Sequence, residues 1–392
     1  MEHLCIYSER RAEMLNNRQR RIEGKLNCLP HPFKRFGVFL PGWLKYYYYL
    51  FTANQKVGKT KIVDYLFVYY PILQRVLGNL NIDTHVLYFS FEAGTAEKEY
   101  DFYSNLLYNL DKERTCPWDL EAIFKDGRDN LPLINKLDEE SHQKFIREYE
   151  RTVEYVHDIT NPTGVWKYCK EYAIKNGHQN FVNGKQYDDV TGEYYDGKVL
   201  DKKNPFTWND TEKYNIIIID NFANLSLERG FSKSETIEKM SKYCIDLAKM
   251  GFVVVAIQHQ AQAQEGIENQ KLNKVTPSPD GLGDSKTTVR DVNFAISLFS
   301  PNRYGITNYK GYDITEFQDN IRFLSVIAGR NMSMASNLVV PLLFRGDCSQ
   351  FDELPPFKNT VEINNILQEL KEEEKIILEH KQQNNNKVKE ND

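Results

Sequence analysis

Six short runs of apolar residues are spaced along the chain and predict buried strands. They cover 46–52, 85–90, 216–219, 252–257, 294–299 and 323–327. Stretches of helical periodicity lie between several of these runs, most clearly at 234–250. Strands that are apolar at every position, rather than at alternate ones, are buried on both faces. The pattern therefore predicts an α/β fold with a mainly parallel sheet and helices on its two sides.

The second and third runs are much further apart than one crossover connection requires, which predicts an insertion over about 110–213. Helical patterns cover most of 93–176. The stretch 178–210 instead carries Asn183-Gly184, Thr191-Gly192 and Asp196-Gly197 between aromatic residues. Such dipeptides are typical of hairpin turns. We therefore expect β-hairpins at 178–210, on the outside of the core.

Both ends of the chain are predicted to be helical appendages of a core domain that covers 30–357. Residues 1–29 form an arginine-rich helix, which fits a solvated terminus and a docking arm equally well, and Pro30 and Pro32 end it. Residues 358–392 contain a helix with apolar positions between Ile363 and Leu378, followed by a polar tail that is predicted to be disordered.

Composition and charge narrow the class of protein. The 392 residues include 50 basic and 55 acidic side chains, a net charge of −5, so any contact with nucleic acid must come from local loops. No apolar run is long enough for a membrane span, and the N-terminus lacks the apolar region of a signal peptide. The six cysteines show no C-x-x-C spacing. We expect a cytoplasmic protein, in the host cytoplasm if it is a phage protein.

A phosphate-binding loop is predicted directly after the first strand, over Ala53-Asn54-Gln55-Lys56-Val57-Gly58-Lys59-Thr60-Lys61. The pattern G-x-x-x-x-G-K-[ST] is matched except at its first glycine, where Ala53 stands. Backbone N–H groups of such a loop face the phosphates, Lys59 supplies a cation and Thr60 holds Mg²⁺. Gly-Lys-Thr also occurs in helix-capping loops, but the strand before it and the helix after it favour binding of ATP and Mg²⁺.

Three further polar residues follow strands and are candidates for the same site. Asp220 comes after four isoleucines, where an aspartate would order Mg²⁺, although an aspartate often simply ends a strand. Glu92 suits a carboxylate that activates the attacking water, and it equally suits an acid at a helix N-terminus. Gln258 ends the fourth strand, where an amide would sense the γ-phosphate, but an ordinary strand end is the simpler interpretation.

Taken in order, these segments resemble the RecA-like core of DnaB-type replicative helicases over roughly 30–355. Alanine at the first position of the phosphate loop is common in that family. The family's motifs have counterparts in YFSFEAG around Glu92, in IIIIDNFANL around Asp220, in 234–260, in Asp291-Val292-Asn293, in Gly329-Arg330-Asn331 and in 344–354. The fifth of these is similar to the K-x-R-N-G motif, with Ala328 and Met332 at its lysine and glycine positions.

The resemblance implies a Mg²⁺-dependent ATP hydrolase that acts as a homo-hexameric helicase on single-stranded DNA. It implies that Glu92 is the catalytic glutamate and that Arg330 is an arginine finger toward the neighbouring subunit. The family's N-terminal primase-binding domain has no counterpart, and 1–29 corresponds only to its subunit-docking linker helix. A primase or another replisome protein is a further expected partner.

The contact with single-stranded DNA is predicted in the loop 261–283, which is rich in Gln, Asn and Gly and contains Lys271 and Lys274. A plain surface loop is the alternative. Two other functions also remain open. One is a RecA-like ATPase of the recombinase or regulatory type, and the other is a structural subunit that binds nucleotide without turnover.

Overall fold

The computed structural model describes residues 5–81, 83–123, 129–272, 274–330 and 338–391. Nine strands form one central sheet and are numbered here in chain order: β1 Tyr48–Ala53, β2 Thr84–Ser90, β3 Val153–Val156, β4 Tyr214–Asp220, β5 Val253–His259, β6 Phe294–Phe299, β7 Ile321–Gly329, β8 Val339–Arg345 and β9 Gln350–Glu353. Their order across the sheet is β9-β8-β7-β6-β1-β5-β4-β2-β3. The six strands from β6 to β3 run parallel, and β7 to β9 form an antiparallel edge. The predicted α/β class is confirmed.

Separate hydrophobic cores cover the two faces of this sheet. In β1, Tyr49 and Phe51 belong to one core, whereas Tyr48 and Leu50 belong to the other. Successive side chains of a strand point to opposite faces, so this division shows that β1 is buried on both sides. The continuous apolar runs of the sequence have the same cause.

The helices flank the sheet and form the two ends of the chain. They span Cys5–Ile22, Lys34–Gly37, Lys59–Asp64, Tyr70–Val76, Thr95–Asp111, Pro117–Leu120, Leu131–Leu137, Glu140–Thr152, Pro162–Asn176, Lys233–Lys249, Ile267–Lys271, Thr288–Asp291, Ile314–Phe317 and Thr360–Asn391. A π-helical turn, Tyr65–Tyr69, joins the third to the fourth. Among the described residues, no helix is both long and apolar enough to cross a membrane.

The described part of the long connection between β2 and β4 contains four helices, the edge strand β3 and a further helix before its β-rich part. The sequence analysis missed β3, because its four residues lie in a stretch of helical pattern and pair only with β2. Two short strands, Gly177–Gln179 and Phe206–Trp208, pair with each other. Beyond them lies a hairpin of Phe181–Tyr187 and Tyr194–Leu200.

Only one of the three predicted hairpin turns is a turn. The chain reverses at Thr191-Gly192, whereas Gly184 and Gly197 lie opposite each other inside the paired strands. A Cβ at Gly184 would stand 2.5 Å from Val199, so this glycine allows close approach and does not make a turn. The region outside the core is also shorter than 178–210, because Trp208 is buried and its indole N–H donates to the carbonyl of Met250 at 2.8 Å.

The C-terminal segment differs from its prediction. The structure describes the polar tail, which was expected to be disordered, as a continuation of the helix Thr360–Asn391. The first part of this helix packs through Ile363, Ile366, Leu367 and Leu370 against a third apolar cluster beside β7 and β8. At the other end of the chain, the helix Cys5–Ile22 accounts for most of the predicted arm, and 1–4 lie outside the described residues.

Candidate functional site

The carboxyl ends of β1, β2, β4 and β5 meet at one edge of the sheet, because these strands are parallel neighbours. A cavity of about 590 Å³ opens there. Open α/β sheets bind ligands at this edge. The cavity is lined by Gln55, Lys56, Gly58, Lys59, Thr60, Lys61, Glu92, Asp220, Asn221, His259, Asp319, Arg322, Phe344 and Gly346. Most of the predicted phosphate loop and both predicted carboxylates are thus in one place.

The phosphate loop is held in shape by its own backbone and by the ring of Phe344. Gly58 has a φ of +98°, and a Cβ on it would stand 3.2 Å from that ring, so the position requires glycine. Lys59 is only 7% exposed and donates from Nζ to the carbonyl of Asn54 at 3.1 Å. Burial lowers the pKa of Lys59 to about 8. A buried ammonium at the start of a helix, Lys59–Asp64, is suited to a phosphate.

Thr60 and Asp220 form the part of the site that fits a metal ion. The hydroxyl of Thr60 donates to Oδ2 of Asp220 at 2.9 Å. The other carboxylate oxygen, Oδ1, is buried and has no hydrogen-bond partner among the described residues. An unsatisfied buried carboxylate oxygen is costly, and oxygen ligands are what Mg²⁺ prefers. The residues present therefore fit a nucleotide-bound Mg²⁺.

Glu92 lines the same cavity, and hydrogen-bond donors surround its carboxylate. The side-chain amides of Asn221 and Asn224 both donate to Oε1 of Glu92, the latter at 3.1 Å. Nε2 of His259 is 3.7 Å from the same oxygen. The imidazole of His259 and the amide of Asn221 lower the pKa of Glu92 below its usual value, although burial opposes them. The carboxylate is thus ionised at neutral pH and able to accept a proton.

Gln258 does not reach this cavity. Its amide nitrogen donates to the carbonyls of Gly283 and Ser285, at 2.6 and 2.8 Å, and its oxygen accepts from Thr288 at 2.7 Å. The side-chain amide is thus engaged by the last residue of the predicted DNA loop and by the segment that follows it. His259, the next residue, lines the cavity instead. The sequence analysis missed His259 because the choice between adjacent side chains at a strand end depends on the sheet's orientation.

Arg322 and Phe344 complete the cavity from the antiparallel edge of the sheet. The sequence analysis did not single out Arg322, and it included Phe344 only as part of the segment 344–354. Arg322 is almost completely buried, and its Nε donates to the carbonyl of Val57 in the phosphate loop at 2.9 Å. Its guanidinium lies over the ring of Phe344, 4.6 Å from the centroid. Burial lowers the pKa of Arg322, but the group stays charged at neutral pH. It adds a fixed cation behind the phosphate loop.

The predicted DNA loop, 261–283, is connected directly to the phosphate loop. The carboxylate of Glu265 accepts from the backbone N–H of Gln55 at 3.3 Å and pairs with Arg303 at 3.0 Å. Arg303 in turn donates to the carbonyl of Gln55. Lys271 and Lys274 are both exposed on the outer part of the loop. A movement of this loop would therefore change the contacts of Gln55 in the cavity.

Arg330 lies outside the cavity of its own chain. It follows β7 and is exposed, and among the described residues its guanidinium makes one hydrogen bond, of 3.2 Å, to the carbonyl of Asp291. The next residues of the predicted motif, Asn331 and Met332, lie outside the described residues. An exposed guanidinium at the end of a strand is suited to a contact with another molecule.

Comparison with known proteins gives a match at the level of structure. No protein-family model matches the chain, and no curated protein sequence matches it. The structure of a DnaB-like replicative helicase, described with its interactions with primase, superposes with a TM-score of 0.59 at 14% identity, covering 87% of this chain and 68% of that one. The solved ATPase domain of a second protein superposes with a TM-score of 0.57 at 15% identity, covering 88% of this chain and 98% of that one. The predicted RecA-like core is confirmed as the fold.

Proposed function

We propose that this chain is an ATP-driven DNA helicase of the DnaB-like type, which assembles into a homo-hexamer and moves along single-stranded DNA. One observation carries the proposal. The phosphate loop, the Thr60–Asp220 pair and the ionised Glu92 share one cavity, while Arg330 lies outside it. The cavity's own arginine, Arg322, donates to the carbonyl of Val57 in the phosphate loop, so we infer that Arg330 of a second copy of the chain supplies the arginine finger.

In the proposed reaction, residues 53–61 bind the phosphates of ATP through their backbone N–H groups, and Lys59 leaves the carbonyl of Asn54 for the β- and γ-phosphate oxygens. Thr60 and Asp220 would hold Mg²⁺, which neutralises charge on the same phosphates when it is bound. Glu92 takes a proton from the water that attacks the γ-phosphorus, and the bond to the β-phosphate oxygen breaks. The products are ADP and phosphate.

Binding of DNA is assigned to Lys271 and Lys274 on the loop 261–283. The chain is acidic overall, so the charge for this contact must come from several copies of one loop, as a ring would supply. The connection from Glu265 to Gln55 gives a route by which DNA on the loop changes the ATP site. A primase or another replisome protein is a further proposed partner, on the strength of the resemblance.

The test is ATP hydrolysis, followed by phosphate release with and without single-stranded DNA. We expect Mg²⁺-dependent turnover that DNA accelerates, and ring-shaped particles in negative-stain images with ATP and an oligonucleotide. Glu92→Gln should bind ATP but lose turnover by about 10²- to 10⁴-fold, because only the proton acceptor is removed. Glu97→Gln, an exposed carboxylate in the next helix, is the matched control.

The same assay separates the alternatives. Slow hydrolysis that DNA does not change would favour a regulatory RecA-like ATPase. Nucleotide binding without any hydrolysis would favour a structural subunit. Wild-type turnover by Glu92→Gln would show that another group activates the water.

A further inference from the structure

A buried charged cluster lies behind the candidate ATP site and meets the cavity at Asp220. Lys98, in the helix Thr95–Asp111, is 1% exposed. Its ammonium donates to Oδ2 of Asp64 at 2.8 Å and to the hydroxyl of Tyr88 at 2.7 Å. It is also 3.6 Å from Oδ2 of Asp220. One buried cation thus faces two buried carboxylates.

Tyr88 connects these carboxylates as well. Its hydroxyl is 2.7 Å from Oδ1 of Asp64 and 3.3 Å from Oδ2 of Asp220. Since Thr60 also donates to Oδ2 of Asp220, three groups converge on that one oxygen. The other oxygen, Oδ1, receives no hydrogen bond from the described residues. The asymmetry fixes the orientation of the carboxylate and leaves one oxygen free.

We propose that Lys98 is a positioning residue for Asp220. With Tyr88, it holds Oδ2 of the aspartate from behind, so that Oδ1 is presented to the Mg²⁺ that accompanies the nucleotide. Partners behind a metal ligand commonly set its orientation, and their loss weakens metal binding by about 10- to 100-fold. This inference rests on the proposed nucleotide and Mg²⁺ site and extends it by one residue that does not touch either ligand.

The competing interpretation is that Lys98 only neutralises Asp64. A buried carboxylate without a cation is costly, so a Lys98–Asp64 pair would be retained for stability alone. The two interpretations differ in what happens when both charges are removed together. If Lys98 serves Asp64 only, the double replacement leaves Asp220 as it was. If Lys98 positions Asp220, the double replacement still releases that carboxylate.

The experiment measures binding of Mn²⁺ to the full chain in the presence of ADP, by electron paramagnetic resonance, and binding of ADP in the presence of EDTA. Lys98→Met should weaken the binding of Mn²⁺ by about tenfold or more and leave the affinity for ADP without metal within about twofold of wild type. Asp64→Leu combined with Lys98→Met should show the same loss. Arg114→Met, which breaks a largely buried ion pair with Asp347 elsewhere in the protein, should change neither quantity.

Restoration of wild-type Mn²⁺ affinity in the double variant would overturn the proposal and leave Lys98 as a partner of Asp64. Unchanged Mn²⁺ affinity in Lys98→Met would overturn it directly. If that single variant does not fold, the double variant, which leaves neither Lys98 nor Asp64 charged, provides the same test. Failure of the wild type itself to bind Mn²⁺ with ADP would refute the proposed function as well.

Discussion

The proposed role of Arg330 in a neighbouring subunit can be tested by mixing two inactive variants. Arg330→Ala removes the finger and keeps the phosphate loop, whereas Lys59→Ala removes the lysine of the loop and keeps the finger. Each protein alone should have almost no activity. In a mixed ring, some interfaces combine an intact loop on one subunit with an intact arginine on the next, and these should hydrolyse ATP.

Replacing Arg330 should have a small effect on stability and a large effect on turnover. Arg330 is exposed and its guanidinium makes a single hydrogen bond, of 3.2 Å, among the described residues, so its replacement should change the free energy of unfolding by no more than about 0.5 kcal/mol. As a finger it is worth about 10³- to 10⁵-fold in turnover. In an equimolar mixture, chance assembly leaves about a quarter of the interfaces intact, so activity should recover to about a quarter of wild type.

The assay is steady-state phosphate release at a fixed total protein concentration, with native mass spectrometry to show that mixed oligomers form. Turnover per chain of the wild type should also rise with protein concentration as rings assemble. Arg290→Ala, an exposed arginine near the same edge, is the control and should stay active. Full activity of Arg330→Ala alone, or no recovery in demonstrably mixed oligomers, would refute the reasoning and make the residue structural.

Three further predictions concern the loops and the insertion. Burial lowers the pKa of Lys59 to about 8, so above that pH Lys59 loses its proton in the nucleotide-free protein but keeps it when phosphate is bound. ATP affinity should therefore fall by up to about tenfold per pH unit between about pH 8 and 10. Lys59→Arg does not titrate in this range, and an equal slope in both proteins by fluorescent-nucleotide titration would contradict the assignment. Reversing the charge of Lys271 and Lys274 should weaken binding to a labelled single-stranded oligonucleotide and lower the slope of log affinity against log salt concentration by about two. Unchanged affinity would show that DNA binds elsewhere. Replacing 181–200 by a short Gly/Ser linker should leave ATP affinity unchanged, and a folded linker variant with much weaker ATP binding would show that the hairpin covers the nucleotide. A deletion that also removes the buried Trp208 should lower the free energy of unfolding, measured by chemical denaturation, by about 3 kcal/mol or more.

Six of the nine strands that the structure describes in the central sheet, and the phosphate loop, could be predicted from the sequence because their causes are local. A strand buried on both faces is apolar along its whole length, and a loop that wraps phosphate needs Gly58 with a cation and a hydroxyl directly after it. Asp220 and Glu92 could be predicted for the same reason, since each directly follows an apolar run that predicts a strand. Parallel neighbours then bring such strand ends together, so the contents of the cavity were predictable in outline.

The tertiary structure decided which side chains face the cavity and what lies behind it. Whether Gln258 or His259 reaches the site depends on the orientation of β5 in the sheet, and a pattern of residues does not encode that. Arg322 and Phe344 come from strands far along the chain, and no local pattern indicates that they pack on the phosphate loop.

The buried Lys98 shows most clearly what could not be predicted from the sequence. On the helix Thr95–Asp111 it looks like any solvated lysine, because a charge becomes structural only through its partners. Those partners come from three separate segments, which meet only when the sheet and its helices have packed. Local backbone preferences and burial patterns are written into short stretches of sequence. The pairing of buried polar groups depends instead on distances between segments, which the folded chain alone determines.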